Sequence, residues 1–303
     1  MSREIKLALT EINEHKRDSD VELHPNYENN HVYLINGISH KKLGYKSVTT
    51  FLEKFFEKFD AKKIIEKYYD WWQENEHPKY YGKSKEEIAL SWKNYGQMCR
   101  NEGTKIHELF EIETNRDVVI KDTKLQIKKL KKLKIGSSGE EIKKIDKKII
   151  KFKNKIKNHQ TTQIRINAEF EEGVLFTGWY KKEVSEPFRT EYTVYGEEER
   201  IIGNIDFIYL NKCGELCIVD YKRTNLPNDN SYGKKCIGIN LPDTKKSKHL
   251  LQLNIYKYLL EEYYGLEIKH LYNLYIKNND CNFVEQKIIN INKLFNEEKI
   301  NDC

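Results

Sequence analysis

Two carboxylates and an amine stand out in the stretch IIGNIDFIYL–NKCG–ELCIVDYK: Asp206, Asp220 and Lys222. Both runs alternate apolar residues with others, and the Lys212-Cys213-Gly214 loop offers glycine where a three-residue hairpin needs a left-handed residue. Asp206 and Asp220 each lie seven residues from Cys213. A hairpin turning there sets them directly opposite, with Cβ atoms ~4.5–5.5 Å apart. Like charges so placed repel, and the apolar neighbours Ile205, Phe207, Ile218 and Val219 exclude the water that would screen them. A bridging divalent cation removes the conflict, and hard carboxylate oxygens suit Mg²⁺ or Mn²⁺. Lys222, two residues beyond Asp220, shares its face. There it is placed to orient or deprotonate an attacking water, or to offset charge on a phosphate. The competing explanation is a cross-strand pair on a solvated face beside an ion pair, which the apolar flanks disfavour.

Spacing alone would not single these residues out. With 47 acidic residues and 45 Lys, chance supplies roughly seven (D/E)-x-K matches, Glu4-Ile5-Lys6 among them. Other polar residues gain meaning only in company. His107 and Glu111 are four apart on a helical stretch, although a lone helix histidine is more often structural than a ligand. Gln252 and Tyr256 are likewise spaced, and in isolation they read as the polar edge of an amphipathic helix.

The elements that must hold these residues follow from turn and capping signals. HVYLINGISH predicts an N-terminal hairpin about Asn36-Gly37, and Ser47 predicts an N-cap for a helix through FLEKFFEKF. A further helix or two are expected through Trp71, Trp72, Trp92 and the GTKIHELFEIE segment, whose first residue is Gly103. Strand character appears over 189–195, then the central hairpin, and then a loop rich in Pro, Gly and Asn over 225–246. A helix over 247–264 stops at Gly265, and a last hairpin, HLYNLYI and FVEQKII, closes the sheet. This order predicts an α/β fold: a central mixed β-sheet flanked by helices. The expected organisation is an N-terminal hairpin and helical region over 1–100 and a core over 101–303, interrupted by an inserted helical hairpin over 115–160.

That insert carries most of the charge. The 303-residue chain has a net charge of +6, yet residues 115–159 hold fifteen Lys and one Arg against five acids, which leaves the remainder acidic. Such a segment suggests a polyanion partner, most simply nucleic acid; the bland possibility is a solvated pair of Lys-rich helices. Ile142, Ile145, Ile149, Phe152 and Ile156 are spaced 3-4-3-4 as a coiled-coil seam. Gly136 should end the preceding helix, and Ser138 with Glu141 should cap the next. No apolar run approaches a membrane span, and the first residues lack a signal-peptide core. Glu4, Glu11 and Glu14 argue against a transit peptide, and six scattered Cys suggest reduced thiols. The expectation is a soluble intracellular protein, in cytoplasm or nucleus.

In order, GTKIHELFE, GNID, VDYK and QLNIY resemble the RecB-type branch of the PD-(D/E)xK nucleases. With SVTTFL and a Trp-containing helix ahead, the chain is most similar there to the phage and mitochondrial genome-maintenance exonucleases. The resemblance spans about residues 46–289 and leaves the insert unmatched. It implies a restriction-endonuclease-like core and a Mg²⁺- or Mn²⁺-dependent deoxyribonuclease, an exonuclease on single-stranded DNA ends in repair, recombination or replication. It also implies that His107, Asp206, Asp220 and the Tyr221 carbonyl are metal ligands, and that Lys222 assists the attacking water. Gln252 and Tyr256 would position the DNA backbone, with Glu191, Ser47 and Thr49 as further positioning residues and Glu191 near the metal. The iron–sulfur cluster of some relatives is not expected, because only Cys281 and Cys303 follow Tyr256. The rival expectations are a structure-specific endonuclease using the same site and a catalytically inactive DNA-binding scaffold.

Overall fold

In the computed structural model of the chain, the described residues are 8–24, 32–169, 171–227, 234–236 and 239–295, with side chains described except at 8, 24 and 159–169. Cys303 and parts of the 225–246 loop lie outside them. A short helix α1 (Ala8–Ile12) precedes a small sheet of β1 (Val21–His24), β2 (Val32–Ile35) and β3 (Ile38–Ser39). Asn36 and Gly37 both take positive φ, which is the geometry that lets a two-residue turn follow the strand twist. The expected hairpin is therefore present, with β1 paired along its other edge.

The central sheet has six strands: β4 (Lys46–Ser47), β5 (Glu186–Gly196), β6 (Ile201–Leu210), β7 (Leu216–Lys222), β8 (Ile268–Lys277) and β9 (Asp280–Gln286). β6 pairs antiparallel with β5 along one side. On its other side it pairs antiparallel with β7 at one end and parallel with β4 at the other. β7 and β8 are parallel, and β8 and β9 are antiparallel. The sheet is mixed, as the order of strands and helices required. The parallel β7–β8 step needs a crossover, and α7 (Lys245–Tyr264) supplies it, capped by Thr244 and ended by left-handed Gly265.

Helices cover both faces. α7 and α2 (Val48–Leu52) bury Leu251, Ile255, Leu259, Phe51 and Leu52 against one face. α4 (Lys85–Leu133) and α6 (Glu171–Glu183) bury Ile106, Phe110, Phe176 and Trp179 against the other. Helix α3 (Ala61–Glu74) packs Ile65 and Trp72 on Ile88 at the start of α4. No helix among the described residues is long and apolar enough to cross a membrane.

Two helices differ from the sequence expectation. Ser47 caps α2 as predicted, accepting from the Thr50 N–H at 3.1 Å, but α2 ends at Leu52 and passes into a 3-10 turn over Glu53–Phe55. The helical character expected through Trp92 and GTKIHELFEIE belongs to one helix that begins at Lys85, where Ser84 and Glu87 form a capping box, and it runs unbroken for 49 residues, further than expected. Its first arm and the first arm of the basic insert are thus one element. After a 3-10 turn at Lys134–Gly136, helix α5 (Gly139–Glu169) returns along it. Ile142, Ile145, Ile149, Phe152 and Ile156 form its least exposed stripe, the predicted seam. The Glu141 carboxylate accepts from the Ser138 N–H at 3.1 Å.

Candidate active site

The site forms where β6 and β7 part. Their ladder runs from Leu210 opposite Leu216 to Phe207 opposite Val219, the predicted register, and stops one pair short of Asp206 and Asp220. Beyond it the Tyr221 N–H donates to Asp206 Oδ2 at 2.6 Å, so a carboxylate takes the bond that a strand carbonyl would have accepted. The two aspartates were expected to face each other as a regular ladder pair; the splayed strands instead turn them toward different partners. β7 itself continues, pairing Asp220 with Asn273 and Lys222 with Tyr275 on β8.

On its other side Asp206 lies across from Glu191. The β5–β6 pairs on either side, Thr190 with Phe207 and Tyr192 with Ile205, keep one register, while Glu191 takes φ 45°. A non-glycine residue in the left-handed region costs roughly 1 kcal/mol or more and persists where surrounding structure imposes it. The side-chain alternation of β6 breaks at the same point: Ile201 and Ile205 pack with the α7 layer, Phe207 and Tyr209 with the α4 and α6 layer.

His107 reaches this irregularity from α4. Its Nδ1 is 3.3 Å from Asp206 Oδ1 and 3.7 Å from Glu191 Oε1. One ligand atom from each of the three residues lies within 4.8 Å of the others. Glu191 Oε2 accepts from Asn204 Nδ2, but Oε1 is buried and accepts no hydrogen bond from a described residue. A buried carboxylate oxygen without a donor, beside a second carboxylate and an imidazole nitrogen, suits a divalent cation. Burial disfavours the His107 imidazolium, yet Asp206 and Glu191 outweigh it and push its pKa well above the usual value. A proton there occupies the electrostatic place a cation would take. Burial likewise works against the Asp206 carboxylate, but His107, Lys222 and the Tyr221 N–H hold its pKa below the ordinary value.

Asp220 belongs to a neighbouring chain of contacts, outside that trio. Lys222 Nζ lies 2.9 Å from its Oδ1 and 2.7 Å from its Oδ2, and Asn273 Nδ2 donates to Oδ2 at 2.9 Å. Burial, opposed by Lys222 and reinforced by Asp206, raises its pKa to about 6. Lys222 Nζ also approaches Gln252 Oε1 at 3.5 Å, and Gln252 Nε2 donates to the Tyr256 hydroxyl at 3.2 Å. The i, i+4 pair on α7 therefore leads straight to the β7 lysine. Tyr256 fits because position 203 is glycine: a Cβ there would fall 2.6 Å from Tyr256 Cε1 and 2.8 Å from Val48 Cγ2.

The structure thus brings His107, Glu191 and Asp206 together and sets Asp220, Lys222, Gln252 and Tyr256 beside them. The Tyr221 ring packs among Phe110, Phe176 and Phe207, with the His107 ring edge-on to it at 5.8 Å. Ser47 and Thr49 bond each other at 3.0 Å, with Ser47 capping α2, at the β4 end of β6. Sequence reasoning missed Asn273 and His249. Asn273 is the one polar side chain inside the apolar run LYNLYI, a signal that could have marked it. His249 precedes Gln252 by one turn of α7, bonds the Tyr275 hydroxyl at 2.9 Å, and is driven down to about 3 by burial and by Lys222, Lys245 and Lys248.

A sequence profile of the PD-(D/E)XK nuclease superfamily matches residues 80–299, which takes in every residue of this cluster. The chain belongs to the PD-(D/E)XK nuclease superfamily. The three-layer arrangement is accordingly a restriction-endonuclease-like fold, and this superfamily is one of metal-dependent nucleases. No curated protein matches the chain. Among solved structures there is similarity to the crystal structure of SSO0001, at 16% identity over 51% of this chain and 70% of that one, with a TM-score of 0.24. That likeness is too slight to bear on the site.

Proposed function

We propose that this PD-(D/E)XK nuclease is a Mg²⁺- or Mn²⁺-dependent deoxyribonuclease of the RecB-like branch, an exonuclease that degrades single-stranded DNA from its ends in repair, recombination or replication. The observation that carries the catalytic part is the convergence of His107, Glu191 and Asp206, with Glu191 Oε1 buried and lacking a donor. These three residues would hold the cation, with Asp220 and the Tyr221 carbonyl completing its protein ligands. When bound, the cation supplies Lewis-acid stabilisation of the charge that builds on the scissile phosphate.

The chain's own groups do the rest. Lys222, held by Asp220, presents an ammonium beside the carboxylates, where it steadies the attacking water or a phosphate oxygen. Gln252 restrains Lys222 from the α7 side, and Tyr256 restrains Gln252. Asn273 fixes one oxygen of Asp220, which keeps that carboxylate from rotating away as substrate arrives. The preference for ends and for single strands rests on the likeness of SVTTFL, GTKIHELFE, GNID, VDYK and QLNIY to genome-maintenance exonucleases.

End-labelled linear and circular single-stranded DNA, incubated with the protein in Mg²⁺ or Mn²⁺, test both parts. Linear strands should shorten from their ends while circles persist. Cutting of circles would replace the exonuclease reading with an endonuclease one, and inertness toward both with either metal would favour a non-catalytic scaffold.

A further inference from the structure

We infer that the face of α4 carrying His107 continues past the sheet as a track for the backbone of a nucleic acid strand extending from the catalytic cluster. The inference rests on the nuclease reading and adds a second, sequence-independent contact region. Helix α4 is one element from Lys85 to Leu133, and its last buried residue is Thr123. Beyond that point it is held by the seam with α5, where Ile127 and Leu130 are its half-buried side chains. The seam fixes the rotation of the helix, and so fixes what the opposite side presents.

That side bears lysines. Lys121, Lys128 and Lys132 follow His107 at about four, six and seven full turns of 3.6 residues, so they lie close to the same azimuth; Ile127 falls about half a turn away. All three are exposed, and Lys124 and Lys131 flank them. None of the five is hydrogen-bonded or ion-paired with a described residue, whereas Lys134 at the hairpin tip is held by Asp146 at 2.7 Å. Like charges three and four apart destabilise a helix by a few tenths of a kcal/mol per pair. A row of them without ion-pair partners among the described residues, on the face that points into the proposed phosphodiesterase site, matches a polyanionic backbone in charge and in direction, even with Asp117 and Asp122 beside its first lysine. At 1.5 Å per residue the row spans roughly 21 to 38 Å from His107 along the axis, within reach of a strand of many nucleotides but not of a very short one.

The test compares wild type with the triple variant Lys121→Gln, Lys128→Gln, Lys132→Gln, using labelled single strands of about 6 and about 40 nucleotides. Binding is followed by fluorescence anisotropy across a salt series in Ca²⁺, which supports binding with little hydrolysis. Cleavage of the short strand is followed separately in Mn²⁺. Each phosphate neutralised on a single strand contributes about 0.7 to the slope of log affinity against log salt, so the variant should lose about 2 from its slope on the long strand. Its affinity for that strand should fall more than tenfold at about 0.1 M salt, while cleavage of the short strand stays within about twofold of wild type. An unchanged slope on the long strand overturns the track and leaves the arm for an acidic protein or for solvent. Equal losses on both lengths overturn it too, because they would put these lysines at the site itself. Binding is read without cleavage, so a wild type that cuts neither strand would defeat the nuclease reading while leaving the slope comparison decisive for the track.

Discussion

Lys222 is the side chain on which the two halves of the cluster meet. It contacts both oxygens of Asp220, and Asp220 and Asp206 together overcome its burial and raise its pKa, so it stays protonated at neutral pH. Removing it as Lys222→Ala, or removing the Asp220 charge as Asp220→Asn, should lower the cleavage rate by at least about 10²–10³-fold, the usual effect of deleting a preorganised charge from a reacting site. DNA binding in Ca²⁺ should survive both changes, and single-turnover cleavage beside anisotropy measures the two quantities separately. The Asn variant should not gain stability, because relief of carboxylate repulsion is opposed by the loss of the Lys222 ion pair. His249 gives a pH prediction. Its folded pKa, about 3, lies below the unfolded value near 6.5, so between those limits the unfolded chain takes up a proton that the folded chain refuses. The stability associated with neutral His249 is complete above pH 6.5 and is lost as pH falls toward 3. His249→Gln should therefore flatten the decline in urea midpoint between pH 7.5 and 4.5. Parallel declines for variant and wild type would show that His249 ionises freely.

At the scale of elements, the splaying of β6 from β7 creates the site. A regular ladder would have consumed the Tyr221 N–H on a carbonyl and left two carboxylates in repulsion; the parting strands give Asp206 that donor. The widened end of β6 is filled by β4 and α2 and by Tyr256 from α7, and Gly203 is the contact point for both Val48 and Tyr256. Gly203→Ala should cost about 1–3 kcal/mol by overpacking, since the Tyr256 ring is buried and α7 cannot withdraw without disturbing its other contacts. It should also lower activity beyond the stability effect, because a shifted Tyr256 releases Gln252 and through it Lys222. Urea denaturation and cleavage at a temperature where the variant is fully folded check the two parts.

For the molecule as a whole, the outer part of the long α4–α5 hairpin is held by few buried residues. Its buried residues on α4 end at Thr123, and along α5 from Gly139 to Asn158 only Ile149 is fully buried. Replacing residues 129–148, the distal part of the hairpin, by a short Gly/Ser link removes little buried apolar surface. The melting temperature should shift by no more than about 4 °C, equivalent to about 1 kcal/mol for a chain of this size. A larger fall would mean that the arm braces the sheet. Cutting closer to the body, at residue 118, would instead remove Val119, Ile120 and Thr123 and should destabilise the core.

Local chemistry made much of this protein legible before folding. The Gly214 turn, the Asn36-Gly37 turn, the Ser47 and Gly265 caps and the 3-4-3-4 seam each depend on residues close in sequence, and each appears where its pattern placed it. The register that puts Asp206 and Asp220 at corresponding positions was legible for the same reason, because a short turn fixes a hairpin's pairing. What sequence could not supply is where that pairing stops. Strand separation at Asp206 depends on β4 replacing β7 beside β6, and those strands are more than 150 residues apart. The left-handed Glu191, the convergence of His107 from α4 and the Asn273 contact are also long-range, and no local pattern encodes them. Sequence named the candidate groups; tertiary packing decided which carboxylates join His107, because only the folded sheet sets Glu191 across from Asp206 and gives Asp220 to Lys222.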